Sequence, residues 1–300
     1  MINKEEFLKK DRLIKGITSD GHIKITVVKS TDVVKEAKRR HNLSLLNTIL
    51  LGRSLTGGML LASNLKGEER INMRLEGNGP IGHLSVEATS NGEIRGYSMH
   101  PEVELDYDQT DNIGEGLGVG VLSFSKVLYN EAQPITGTVE LIKGDVNSDI
   151  AHYLMQSEQV PSAISIDVGI DENGEVTEAG GLLIQAMPGA DDSIKTQLED
   201  NVKSMLPLPV RFQQDEYIDD IMHSVMKPMS VKELDRYPVH FFCRCNRKRF
   251  KNALALVSLE DLEEMKDDGQ ELVCHFCGER YNVSRDEIRK IISDAKVRMN

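Results

Sequence analysis

Nowhere in this 300-residue chain do apolar residues run on for the roughly 18 positions that a membrane-crossing helix needs, so no such helix is expected. The first residues, MINKEEFLKKDRLIKG, carry lysines but no apolar run behind them, which is not the pattern of a secretory signal. A cytoplasmic location is the expectation. A basic surplus is missing too. Lys and Arg number 36 against 48 Asp and Glu, and the net charge of −12 makes the chain a poor general partner for nucleic acid. The common catalytic signatures G-x-S-x-G and H-E-x-x-H are absent. GEGLGVGVL (114–122) fails the dinucleotide register, because the third glycine would fall on Val119 or Val121, so these read as packing or strand glycines. GRSLTGGM (52–59) has the glycines of a phosphate loop but Gly58 in place of its lysine. DYDQTDNIGE (106–115) begins like a calcium loop, yet Asp111 stands where the glycine turn is required. Histidines 22, 41, 83, 100, 152 and 223 are scattered. No enzyme activity and no nucleotide use are expected. The most informative absence is of cysteine: the first 242 residues contain none.

What is present organises into three stretches. Residues 1–190 read as an α+β core, in which mixed β-sheets pack with helices. STDVVKEAKRRHNLSLLNTILLGRSLTGGMLLASNL offers Ser30, Thr31 or Asp32 as an N-cap, followed by apolar residues at helical spacing. RINMRLEG, IGHLSVEATS and EIRGYSM alternate like half-buried strands, with the hairpin signal Asn91-Gly92 between two of them. AISIDVGI and EVTEAGGLLIQAM form a second hairpin around Asp171–Gly174, and DIAHYLMQSEQ reads as a helix. Residues 191–237 read as a helical linker. Pro207, Pro209, Pro228 and Pro238 cut it into pieces too short to stand alone in water, so their apolar faces must dock on something. Those faces carry Met205, Ile218, Ile221, Met222, Val225 and Met226. Residues 238–300 form a small module holding all four cysteines, with helical stretches between and after them.

The cysteines are Cys243, Cys245, Cys274 and Cys277, spaced C-x-C, 28 residues, C-x-x-C. A reducing cytosol argues against a disulfide framework and for a metal site. Four thiolates complete the tetrahedral shell of one zinc ion, and Gly278 permits a tight turn behind the second pair. His240 and His275 are then surface or supporting residues. Several roles remain open on the residues alone. The site could simply fold the module. It could be a redox switch, since C-x-C sulfurs are within reach of each other and Arg244, Arg247, Lys248 and Arg249 crowd that pair. A thiol oxidoreductase would need an exposed, cycling thiolate, which metal would mask. A zinc-dependent adaptor would need metal to bind its partner. A nucleic-acid finger is disfavoured, because 238–300 holds twelve basic and eleven acidic residues.

The pattern C-x-C, about thirty residues, C-x-x-C near the end of a 33.5 kDa chain resembles the redox-regulated bacterial heat-shock chaperones of the 33-kDa class. LEGNGPIG, YLMQSEQVP and AGGLLIQAMPGA resemble that family's core motifs, so the likeness covers nearly the whole chain. The resemblance implies an ATP-independent holdase, quiescent while the four cysteines hold zinc. It implies that oxidation forms Cys243–Cys245 and Cys274–Cys277 disulfides and expels the metal. The module and linker would then unfold, and a homodimer would bind unfolding client proteins. No nucleic-acid or membrane partner is implied.

Overall fold

The apolar periodicity that begins at Ser30 does not continue as one helix. Helix α1 (Thr31–His41) stops at Asn42, where the backbone turns left-handed at φ 49°, and α2 (Leu45–Ala62) restarts behind Ser44. Asparagine tolerates this turn because its short polar side chain can bond locally. Ser44 accepts the Asn47 N–H at 3.1 Å, and the Glu104 carboxylate takes the N–H groups of Leu45 and Leu46. The free donors at the start of α2 are thus satisfied.

The computed structural model describes residues 10–299. They form two compact units, one ending at Phe242 and the other starting at Cys243. In the first, α2 is the central core helix. By length and composition it could cross a membrane, contrary to the expectation that no helix would, but 83% of it is buried inside the fold. Its hydroxyls are spent internally: Ser54 donates to the Leu50 carbonyl and Thr56 to that of Gly52. Gly57 and Gly58 allow close approach. A Cβ there would stand 2.4 Å from Ile150 and 2.8 Å from Val86.

One sheet of this unit runs β10 (Val231–Pro238), β1 (Arg12–Thr18), β2 (Ile23–Lys29), β9 (Val176–Ala186), β8 (Ser162–Ile170), antiparallel throughout. The other runs β11 (His240–Phe241), β5 (Glu93–Ser98), β4 (His83–Thr89), β3 (Arg70–Gly77), β6 (Gly120–Val127), β7 (Ile135–Glu140), with only β11 parallel to its neighbour. The hairpins expected at Asn91-Gly92 and Asp171–Gly174 form, with φ of 85° at Gly92 and 77° at Gly174. Helix α3 (Asn147–Gln156) forms where DIAHYLMQSEQ predicts it. Residues 231–237 differ from expectation. They belong to a stretch read as helical linker but form strand β10 on β1.

The period-2 alternation of the five-stranded sheet gives it two apolar faces. Leu13, Val28, Ile166 and Leu183 join the main core around α2. Ile14, Ile23, Ile25, Val27, Leu182 and Ile184 face a second core, closed by α4 (Asp192–Ser204), α5 (Leu208–Gln213) and α6 (Ile218–Val225).

The second unit contains α7 (Arg247–Leu254), α8 (Leu259–Met265), the hairpin β12 (Gln270–Val273) and β13 (Arg280–Val283), and α9 (Arg285–Met299). Its buried hydrophobic core is Leu254, Leu262, Val283, Ile288 and Ile292. The architecture is α+β, as the sequence predicts.

Candidate metal centre

The hairpin β12–β13 carries one cysteine pair in its loop. The N–H groups of Cys277 and Gly278 both point at the Cys274 carbonyl, at 3.2 and 2.8 Å, and the Cys274 N–H returns to Glu279 O at 2.9 Å. This knuckle needs a left-handed residue, and Gly278 supplies it at φ 69°. The other pair lies in the irregular segment between β11 and α7. Asn246 then caps α7 by accepting the Arg249 N–H at 3.0 Å, so the segment ends immediately after Cys245.

The structure brings all four predicted ligands together. The four sulfurs lie within 4.8 Å of one another. Cys243 Sγ is 3.7 Å from Cys274 Sγ, and Cys245 Sγ is 3.3 Å from Cys277 Sγ. A tetrahedral ion with bonds of about 2.3 Å separates its sulfurs by about 3.8 Å, so the residues fit a closed tetrahedral site. Four soft sulfurs favour zinc over hard cations such as magnesium or calcium. His240 and His275 contribute no atom to the group.

Burial divides the ligands. Cys274 and Cys277 are buried, while Cys243 and Cys245 are half-buried. Burial pushes both hairpin thiols up from their ordinary range. A bound dication reverses this, because a coordinated thiol is deprotonated outright. One residue that spacing alone did not single out also enters the site. The Tyr281 hydroxyl stands 3.2 Å from Cys245 Sγ, and this hydrogen bond pushes the phenol pKa upward. Tyr281 follows Cys277 by four positions in CGERY, and that proximity in sequence was the available signal.

Of the basic residues expected around the C-x-C pair, Arg247 is engaged by an acid, together with Lys251 further along α7. Arg247 and Lys251 both pair with Glu287, at 2.7 and 2.9 Å. The Ser284 N–H and these cations hold the Glu287 carboxyl down at about 2. Arg249 donates to the Arg244 carbonyl at 2.9 Å. Glu287 lies in the first turn of α9, where an anion is favoured, and it draws two of the cations to itself.

A second feature lies in the first unit. The apolar residues singled out at 205–226 are docked on the five-stranded sheet. Ile218, Ile221, Met222, Val225 and Met226 are buried, and Met205 is partly so. Glycines in the sheet receive them. A Cβ at Gly180 would stand 2.5 Å from the Phe212 ring, and one at Gly16 would stand 2.9 Å from Met222 Sδ. Phe212 also covers the Lys29–Glu178 ion pair, with Lys29 Nζ 4.7 Å from its ring centre. Asp219 of α6 holds Arg236 of β10 at 3.1 Å.

Comparison with known proteins agrees with this geometry. The model of the Hsp33 protein family matches residues 11–284. The 33 kDa chaperonin of Thermus thermophilus is 38% identical over 300 aligned residues, covering 95% of this chain and 87% of its own. That of Desulforamulus reducens is 36% identical, covering 94% and 97%. The crystal structure of the 33 kDa chaperonin, or heat shock protein 33 homolog, of Thermotoga maritima superposes with a TM-score of 0.89. It is 31% identical, and the match spans 96% of this chain and 99% of that one. A family model spanning both the core and the cysteine module, with relatives alike over nearly their whole length, settles the assignment: the chain belongs to the Hsp33 family.

Proposed function

We propose that the chain is a redox-regulated, ATP-independent holdase, inactive when reduced and zinc-bound, that acts in the cytoplasm. The observation that carries this reading is the four-sulfur cluster in a chain with no other thiol. A bound zinc ion would supply the charge that keeps four close thiolates together. Cys243, Cys245, Cys274 and Cys277 would hold it.

Oxidation acts on the sulfurs. Two thiolates and one hydrogen peroxide give one disulfide and two hydroxides, so the four cysteines consume two peroxides. The pairs proposed are Cys243–Cys245 and Cys274–Cys277. Such sulfurs no longer carry the charge that ligation needs. The energies then decide the outcome. Structural zinc contributes roughly 10–16 kcal/mol to folding a small module. A disulfide closing a loop of three or four residues contributes about 2 kcal/mol on chain-entropy grounds. Two of them cannot replace the metal, and a core of five buried hydrophobics is too small to hold the module alone.

Unfolding of the module would leave β11 and β10 attached to a disordered chain. Arg236 of β10 holds Asp219 of α6, so the cover of the five-stranded sheet would loosen with it. Its methionines and branched residues suit many partners. Unfolding client proteins are the proposed ligands and a homodimer the proposed active form. The test is light scattering of a heat-aggregating client with the protein reduced and zinc-loaded, reduced and chelated, or peroxide-treated. Suppression by the peroxide-treated form alone, or by it and the chelated form, supports the switch. Equal action of all forms, or none, sinks it.

A further inference from the structure

Tyr281 is held from two sides. It lies on β13 opposite Leu272 of β12, which fixes its backbone by the hairpin register. Its ring stacks on Phe250 of α7, with centroids 4.9 Å apart and planes at 31°. Helix α7 is tied to the same strand a second time, because Arg247 donates to the Asn282 carbonyl at 2.9 Å. The helix begins one residue after Cys245, at its cap Asn246. The result is a closed triangle in which Cys245 leads into α7, α7 positions the Tyr281 ring, and the hydroxyl returns to Cys245 Sγ at 3.2 Å. A ligating thiolate has no proton to give. In the reduced metal site the phenol must therefore be the donor.

We infer that Tyr281 is a positioning residue of the redox site: its hydroxyl donates to the Cys245 thiolate and slows the attack of that sulfur on electrophiles. The inference rests on reading the four cysteines as a reduced thiolate metal site. A hydrogen bond to a charged acceptor is stronger than a neutral one, and it draws density from the lone pair that would react. With peroxide, the sulfur takes one oxygen as the O–O bond breaks, giving a sulfenic acid and releasing hydroxide. In that transition state the sulfur charge falls and the hydrogen bond weakens, so the barrier rises. Cys245 is half-buried, and burial alone does not shield it fully. The phenol thus sets a threshold that brief oxidant exposure must exceed. Partners surrounding metal ligands commonly change affinity by about 10- to 100-fold, so the same contact also strengthens metal retention.

The test uses the full-length reduced chain loaded with zinc, and iodoacetamide as the electrophile. The sulfur displaces iodide, forming a C–S bond as the C–I bond breaks. Arg244 lies between the first two cysteines, so trypsin releases Cys243 and Cys245 on separate peptides for mass spectrometry. Tyr281→Phe keeps the ring and its stack on Phe250. It is expected to raise the labelling rate of Cys245 relative to Cys243 by about three- to tenfold. Phe250→Leu, which leaves the hydroxyl but removes its backing, should raise the same ratio by less. An unchanged or lowered ratio, or equal acceleration at all four cysteines, overturns the inference; the latter would mark a loosened module instead. If Tyr281→Phe does not load zinc one to one, Phe250→Leu decides alone. No oxidant or client enters the assay, so this inference and the holdase reading can fail independently.

Discussion

Replacing Phe212 by alanine should release the cover of the five-stranded sheet while the cysteine module stays reduced and metal-bound. The side chain is 5% exposed, sits in the gap left by Gly180 and lies over the Lys29 ammonium. Burial of a phenylalanine that becomes alanine is worth about 3–5 kcal/mol. The desolvated cation–ring contact adds up to about 2 kcal/mol, though the two overlap. Helix α5 has six residues and α6 eight, so neither persists without its docking contacts. Segments of this kind open locally at less than the global free energy. A loss of about 4 kcal/mol multiplies the open population about a thousandfold, turning roughly one molecule in ten thousand into one in ten. Hydrogen exchange of the reduced, zinc-loaded protein is the assay. Amides of 192–238 should exchange at least about 100-fold faster, while the strands of the six-stranded sheet and the module keep their protection. Loosening spread evenly over all elements, or no change at 192–238, would refute the reasoning.

Other outcomes follow from two carboxylates buried in the first unit. Asp11 accepts the Val33 N–H at 2.8 Å, and its burial pushes the carboxyl up to about 7. Between about pH 4 and pH 7 the native state therefore holds a proton that the unfolded chain has lost, so stability falls as pH rises through that window. Asp11→Asn should remove this fall, and its advantage over the parent in urea melts should grow towards pH 7–8, up to about 4 kcal/mol; a pH-independent difference would contradict this. Asp149 is fully buried and accepts four backbone N–H groups, from Ile142, Lys143, Gly144 and Val146, at 2.8–3.2 Å. Asp149→Ala strands those donors, and a loss of about 4 kcal/mol should lower the calorimetric Tm of the first unit by about 10 °C. A shift under a few degrees would mean that water replaces the carboxylate.

Strands with a clean period of two were legible in the sequence. β3, β4 and β5 each have one buried face, so apolar and polar residues alternate. β10 was not legible. As an edge strand it is mostly exposed, and VKELDRYP shows no apolar alternation. β11 escaped because two residues pairing in parallel with β5 leave no periodic trace. The break between α1 and α2 was hidden because Asn42 and Ser44 interrupt a pattern that is apolar on both sides. The four clustered cysteines were legible because a chain with no other cysteine concentrates them in two tight pairs. Tyr281 was not, because its approach to Cys245 is set by hairpin register and a ring stack rather than by spacing. The pairing of Arg247 and Lys251 with Glu287 was equally invisible, since 36 to 40 residues of sequence separate the partners.

The pairing of β10 on β1, where Leu234 of β10 is bulged out, has a consequence for what an open sheet could hold. β10 covers the outer side of Arg12–Thr18, with the register broken between Lys15 and Gly16. Were β10 to leave, β1 would present a row of main-chain donors and acceptors to any extended polypeptide. Such an edge reads amides, which every unfolding chain carries, and not a particular sequence. Lys15, a charge in the middle of that edge, opposes its pairing with a second copy of itself. A surface that accepts foreign backbone in short lengths and resists stacking on itself would catch aggregating chains without seeding a fibre.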